Sequence, residues 1–256
     1  MDRQAALIAR WQLVGFVHGV MNTDNVAISG ETIDYGPCAF MNAFDPATVF
    51  SSIDHGGRYA YGNQPAIAQW NLARFAETLL PLIAPQQDDA IAIATDQLGQ
   101  FPDLYERYWL EGMRAKLGLQ TAEAGDRQLA ESLLKWMQKT KADFTNTFRD
   151  LSTDEALIGE RYGSPEFQSW NSRWQLRLNQ QSRTASASRA AMRSVNPVVI
   201  PRNHRVEEAL AAAENGDLSV LHRLLAVLTK PYESSADSAE YQIPSDDCHY
   251  QTFCGT

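Results

Sequence analysis

The sequence predicts a mainly α-helical protein with one small β-hairpin near its start. Two observations carry this. Apolar residues recur at helical spacing through most of the chain after Gln64. Before that point, the β-like runs Val26-Ala27-Ile28 and Thr32-Ile33 flank the turn signal Ser29-Gly30-Glu31, so a hairpin over Val26–Ile33 is expected. The scale is also sufficient: the chain has 256 residues, 44% of them hydrophobic. A chain of that size buries roughly three quarters of its unfolded surface.

In chain order, the first 18 residues read as the end of a helix, with Ala6, Ile8, Leu13 and Phe16 on its apolar stripe and Trp11 and Val14 widening it. The segment His18 to Gly36 breaks helical rhythm. Residues 37–63 are loop-like, with Asp45-Pro46, Gly56-Gly57 and Gly62-Asn63. Pro65 suits the first turn of a helix carrying Leu72, Phe75 and Leu79. A second helical region is expected from about Asp88 to Gly118, broken near Pro102. A third starts near Asp126, with Leu129, Leu133, Met137, Phe144 and Phe148 on one face. Ser152 with Glu155 has capping-box spacing, and Ser164-Pro165 is an N-cap followed by proline. Two short helices, Val206–Glu214 and Leu218–Leu228, precede an irregular tail from Pro231. Trp70, Trp109, Trp136, Trp170 and Trp174 are core candidates.

Composition excludes several function classes. The net charge is −9, and the one basic cluster (Arg183, Arg189, Arg193, Arg202, Arg205) reads as solvated or structural, so no nucleic-acid partner is expected. No apolar run approaches the ~20 residues of a membrane span. Asp2 and the lack of a basic n-region argue against a signal peptide. Three cysteines (Cys38, Cys248, Cys254) form neither a disulfide framework nor a metal spacing. The expectation is a soluble cytoplasmic protein with no membrane partner.

Chemistry concentrates in His18-Gly19-Val20-Met21-Asn22-Thr23-Asp24-Asn25, followed by Asp34-Tyr35-Gly36. Kinase-like folds carry H-x-D-x-x-x-x-N and then an Asp-aromatic-Gly turn, in which the Asn and the second Asp hold magnesium against nucleotide phosphates. His18 and Asn25 keep that spacing, and Asp34 supplies the second turn. One carboxamide and one carboxylate oxygen suit a hard ion that keeps water and phosphate as its other ligands. The position of the kinase base is Val20, which accepts no proton, so a conventional kinase mechanism is disfavoured. An acid returns at Asp24, where it is placed to take a hydroxyl proton from another side. His18 reads as a structural histidine.

These runs resemble the selenoprotein O family: HGVMNTDN, DYGP, AFDPATVF and HGGRYAYGNQPAIAQWNLARFAETLLPL, then NPVVIPRNHRVEEALAAAENGDLSVLHRLLAVLTKPY and the closing FCGT. The resemblance implies the C-lobe of a pseudokinase fold with a helical extension. It implies ATP bound in a flipped orientation and AMP transferred to Ser, Thr or Tyr hydroxyls of protein substrates. It makes Asp24 the proton acceptor, Asn25 and Asp34 the ligands of magnesium or manganese, and Asp34 a nucleotide contact. Cys254 matches a redox-active tail cysteine. Its partner in many members falls here on Phe50, with Cys38 nearer the metal turn.

The expected organisation is residues 1–63 for the catalytic loop and metal turn, 64–230 for the helical lobe and extension, and 231–256 for the tail. Only 17 residues precede His18, and no lysine occurs before Lys116. The phosphate-cradling N-lobe is therefore expected to be missing from this chain. Either a separately encoded N-lobe completes a protein adenylyltransferase, or the chain is an inactive remnant of the same fold.

Overall fold

The computed structural model describes residues 1–153, 157, 160–245 and 250–253. Helices dominate. In chain order they are α1 (Asp2–Val14), α2 (Gln64–Ile83), α3 (Gln87–Gly99), α4 (Phe101–Lys116), α5 (Asp126–Thr140), α6 (Phe144–Asp150), α7 (Pro165–Asn179), α8 (Ala185–Arg193), α9 (Asn203–Glu214) and α10 (Ser219–Leu228). Two short strands, β1 (Phe16–Val17) and β2 (Ala39–Phe40), pair into a two-stranded sheet. None of the described helices is long and apolar enough to cross a membrane.

The chain forms two compact units. The first gathers Met1–Ala39, Pro46–Gly112 and the segment from Gln251 onward; the second holds Phe40–Asp45 and Met113–Tyr250.

Several boundaries correct the sequence-based expectations. The first helix stops at Val14, because Gly15 turns left-handed (φ 74°) and its N–H caps Gln12 and Trp11. The hairpin at Val26–Ile33 is reduced to a single antiparallel bridge, Val26 with Thr32. It cannot lengthen, because Thr23–Asn25 forms a 3-10 turn on one side and the Ile33 carbonyl is taken by His18 on the other. The helix expected from Asp126 through Phe148 is two. Lys141 adopts φ 51°, and the N–H groups of Lys141 and Ala142 return to Gln138 and Met137 in a Schellman pattern. Asp143 then caps a new helix through the N–H of Asn146 at 2.7 Å.

Other expected boundaries hold. Pro65 sits in the first turn of α2, and α3 and α4 break at Gln100, just before Pro102. Ser164 caps Phe167 as expected. In the proposed capping box, Glu155 lies outside the described residues.

The second unit is built around buried aromatic rings. Trp136, Tyr162, Phe167, Trp170 and Trp174 follow one another with centroids 4.7 to 5.9 Å apart. The indole N–H groups of Trp170 and Trp174 donate to the carbonyls of Leu129 and Leu117. Trp70 departs from the core reading: it is 40% exposed, on α2 in the first unit. A smaller cluster of Val198, Val199, Ala209, Leu224 and Tyr241 seals α9 and α10.

Two buried cations anchor this unit. Arg202 (1% exposed) donates to both carboxylate oxygens of Asp143, to Asn42 and Asn146, and to the Gln242 carbonyl. Among the described residues Lys116 has no carboxylate partner; its ammonium lies 4.2 Å from the Phe148 ring centroid and 5.4 Å from that of Phe144. Burial pushes its pKa down from 10.5 to about 7.

Breaking the Arg202–Asp143 pair from one side, as in Asp143→Ala, should cost about 3–5 kcal/mol in denaturant unfolding, because it strands a buried guanidinium. For Lys116 the unfolded chain holds more protons than the folded one between about pH 7 and 10.5. Stability should therefore rise with pH across that window and be lowest below it. The Lys116→Met variant should lack this rise, which unfolding curves at pH 7 and pH 10 would reveal.

Candidate functional site

The site residues lie on irregular backbone, so each turn needs outside support for its N–H and C=O groups. The His18 ring supplies two of these contacts. It is fully buried; its Nε2 donates to the Ile33 carbonyl at 2.8 Å, and its Nδ1 accepts from the Val20 N–H at 3.4 Å. Donation at Nε2 and acceptance at Nδ1 require the neutral Nε2–H tautomer. The ring stacks on Trp11 with centroids 5.2 Å apart, and the Trp11 indole donates to Thr32. Burial lowers the His18 pKa; hydrogen bonding to Ile33 and the charge of Asp34 oppose it. His18 is thus structural: it ties the loop bearing Asp24 and Asn25 to the residue preceding Asp34.

Val20 contributes its backbone where its side chain cannot serve. Its N–H meets His18, and its carbonyl accepts from Asn25 Nδ2 at 3.1 Å. That bond fixes the orientation of the Asn25 carboxamide. Asp24 sits beside it on the same Thr23–Asn25 turn, with its side chain exposed. Asp34 takes the left-handed conformation, φ 55°, uncommon for a residue with a Cβ. One of its carboxylate oxygens accepts from the Gly36 N–H at 3.3 Å. Oxygen donors on an amide and a carboxylate fit magnesium or manganese. No three His, Cys, Asp or Glu side chains converge among the described residues.

Sequence reading missed the residues that hold the loop from behind. The apolar stripe placed on Leu72, Phe75 and Leu79 leaves Phe75 44% exposed, whereas the buried face of α2 is Gln64, Ala68 and Asn71. Gln64 accepts from the His18 N–H at 3.0 Å and donates to the Phe16 carbonyl at 2.9 Å. Asn71 donates to the Met21 carbonyl at 2.9 Å. The signal was present as three small or amide residues at positions i, i+4 and i+7. Tyr59 adds a bond from its hydroxyl to Asn22, the residue capping the Asp24 turn, at 2.6 Å. Asp54 in turn clamps the N–H groups of Arg58 and Tyr59, both at 2.8 Å.

Phe50, at the place of the expected loop cysteine, is buried and carries no thiol. Cys38 is half-buried, donates to the Tyr35 carbonyl at 3.2 Å, and has its pKa raised by burial. Cys248 and Cys254 lie outside the described residues.

His18 makes the site sensitive to acid. Its folded pKa lies below the ordinary 6.5, so below that value the unfolded chain takes up the proton first and folding stability falls. The fall on acidification below pH 6.5 should be smaller in His18→Gln than in the unsubstituted chain, as read from denaturant unfolding at pH 7.5 and 5.5.

Comparison with known proteins is consistent along the chain. The family model described as "Protein adenylyltransferase SelO" matches residues 1–229. A protein of Alkaliphilus metalliredigens named "Protein nucleotidyltransferase YdiU" is 59% identical over 256 residues, covering 99% of this chain and 52% of its own length. Proteins of the same name from Clostridium beijerinckii and Brevibacillus brevis are 56% and 57% identical, each covering 100% of this chain and 53% of its own length. The chain thus spans about half the length of the curated relatives it matches. These matches lend no support to a separately encoded N-lobe. Taken with the His18–Asn25 loop and the Asp34 turn, they establish that the chain belongs to the SelO family of protein adenylyltransferases.

Proposed function

We propose that the chain carries the catalytic loop and metal turn of a protein adenylyltransferase, which moves AMP from ATP to hydroxyl groups of Ser, Thr or Tyr side chains. The observation that carries this reading is the pairing of an exposed acid with an oriented amide. Asp24 and Asn25 share one turn, Asn25 is fixed through Val20, and the same Val20 is bonded to the histidine that grips the Asp34 turn. The name shared by the relatives, protein nucleotidyltransferase, supports the reaction class.

In this reading Asp24 accepts the proton of the acceptor hydroxyl as its oxygen bonds to the α-phosphorus and the bond to pyrophosphate breaks. Asp24 is exposed, so an incoming protein side chain can reach it and the proton can pass on to water. Asn25 and Asp34 would hold magnesium or manganese, which when bound offsets phosphate charge. Val20 gives no base on the usual kinase side, which argues against γ-phosphoryl transfer.

ATP labelled at the α- or the γ-phosphate distinguishes these outcomes when incubated with the chain, magnesium and a protein extract. Label should enter protein from the α-position only. Asp24→Asn should reduce it by about 10²- to 10⁴-fold, the usual weight of a general base, and Asp34→Ala should abolish it. Transfer of the γ-label would refute the proposal in favour of a kinase. The absence of both labels would favour an inactive chain.

A further inference from the structure

The segment Gln251–Phe253 returns to the first unit, 200 residues after the loop it meets in sequence. Thr252 pairs with Ser51 in a parallel bridge: its N–H donates to the Phe50 carbonyl at 2.8 Å, and its carbonyl accepts from the Ser52 N–H at 3.0 Å. Its hydroxyl, buried with the rest of the residue, donates to the Pro37 carbonyl at 2.8 Å. That carbonyl lies against Gly19, where φ is +85° and an added Cβ would stand only 2.5 Å from it. One carbonyl thus touches both the loop that bears Asp24 and Asn25 and the segment near residue 252. Pro37 is three residues past Asp34.

We infer that Thr252 is a positioning residue for the metal-binding turn. Its hydroxyl holds Pro37 in place against Gly19, so docking of Gln251–Phe253 and registration of Asp34 with Asn25 are one event. The bond neutralises a buried acceptor that bulk water does not reach, and no cysteine takes part in it. The inference rests on the proposed function only in naming the ligand that the turn receives.

The test uses the full chain and manganese(II) with a non-hydrolysable ATP analogue, titrated by electron paramagnetic resonance. Thr252→Val keeps the shape and removes the donor; it should weaken manganese binding by about five-fold, the worth of one buried hydrogen bond. Thr252→Ser should restore it. Amide hydrogen exchange supplies a second readout. In the unsubstituted chain the N–H groups of Ser52 and Thr252 should exchange at the same opening free energy as those of Gly19 to Asn25. In Thr252→Val both sets should exchange faster. Independent exchange of the two sets, unchanged manganese affinity in Thr252→Val, or failure of serine to restore it would each overturn the inference. Should the unsubstituted chain bind no manganese–nucleotide, the adenylyltransferase reading falls, and exchange alone decides the role of Thr252.

Discussion

Two hydrogen bonds at a buried neutral imidazole hold together the loop and the turn to which the chemistry is assigned in our proposal. His18 gives its Nε2 proton to Ile33 and receives the N–H of Val20 on Nδ1. The bonds face in opposite directions, so only an uncharged ring of one tautomer satisfies both. Trp11 stacked on the ring keeps water from competing. From this point the constraints spread: Val20 fixes the Asn25 amide, and Ile33 fixes the entry to Asp34.

The second constraint is a polar helix face turned inward. A loop that is neither helix nor sheet leaves N–H and C=O groups without regular partners, and burying them bare costs more than burying amide side chains that pair with them. Helix α2 meets this need with Gln64 and Asn71, while larger apolar residues such as Phe75 remain partly exposed on its surface. Gln12 and Tyr61 repeat the device between α1 and the start of α2: each side chain bonds the backbone carbonyl of the other, at 2.5 and 2.6 Å. Hydrophobic patterning alone assigns the wrong side of such a helix to the interior.

Much of the helical frame was legible in the sequence. Proline and N-cap signals located the starts of α2 and α7, and glycine 15 ended α1 in a way the pattern did not resolve. The split between α5 and α6 was hidden because Leu129 to Phe148 keeps a helical apolar rhythm across a break made by backbone caps at Lys141 and Asp143. The hairpin over Val26–Ile33 was over-read, since its outer positions are claimed by His18 and by the 3-10 turn. At the site, the spacing of His18, Asn25 and Asp34 singled out the loop and the turn, and the structure links the two through His18. The supporting bonds were not visible, because Gln64, Asn71 and Thr252 act on main-chain atoms and carry no motif of their own.

The parallel bridge at Thr252 also bears on biosynthesis. Pro37 and its partner are separated by 215 positions. At ~5–20 residues per second on the ribosome, the loop must wait roughly 10 to 45 s for the residue that completes its packing. During that interval the Phe50 carbonyl and the Ser52 N–H have yet to meet Thr252, and a strand edge still awaiting its neighbour is the kind of surface that chaperones and misassembled chains recognise.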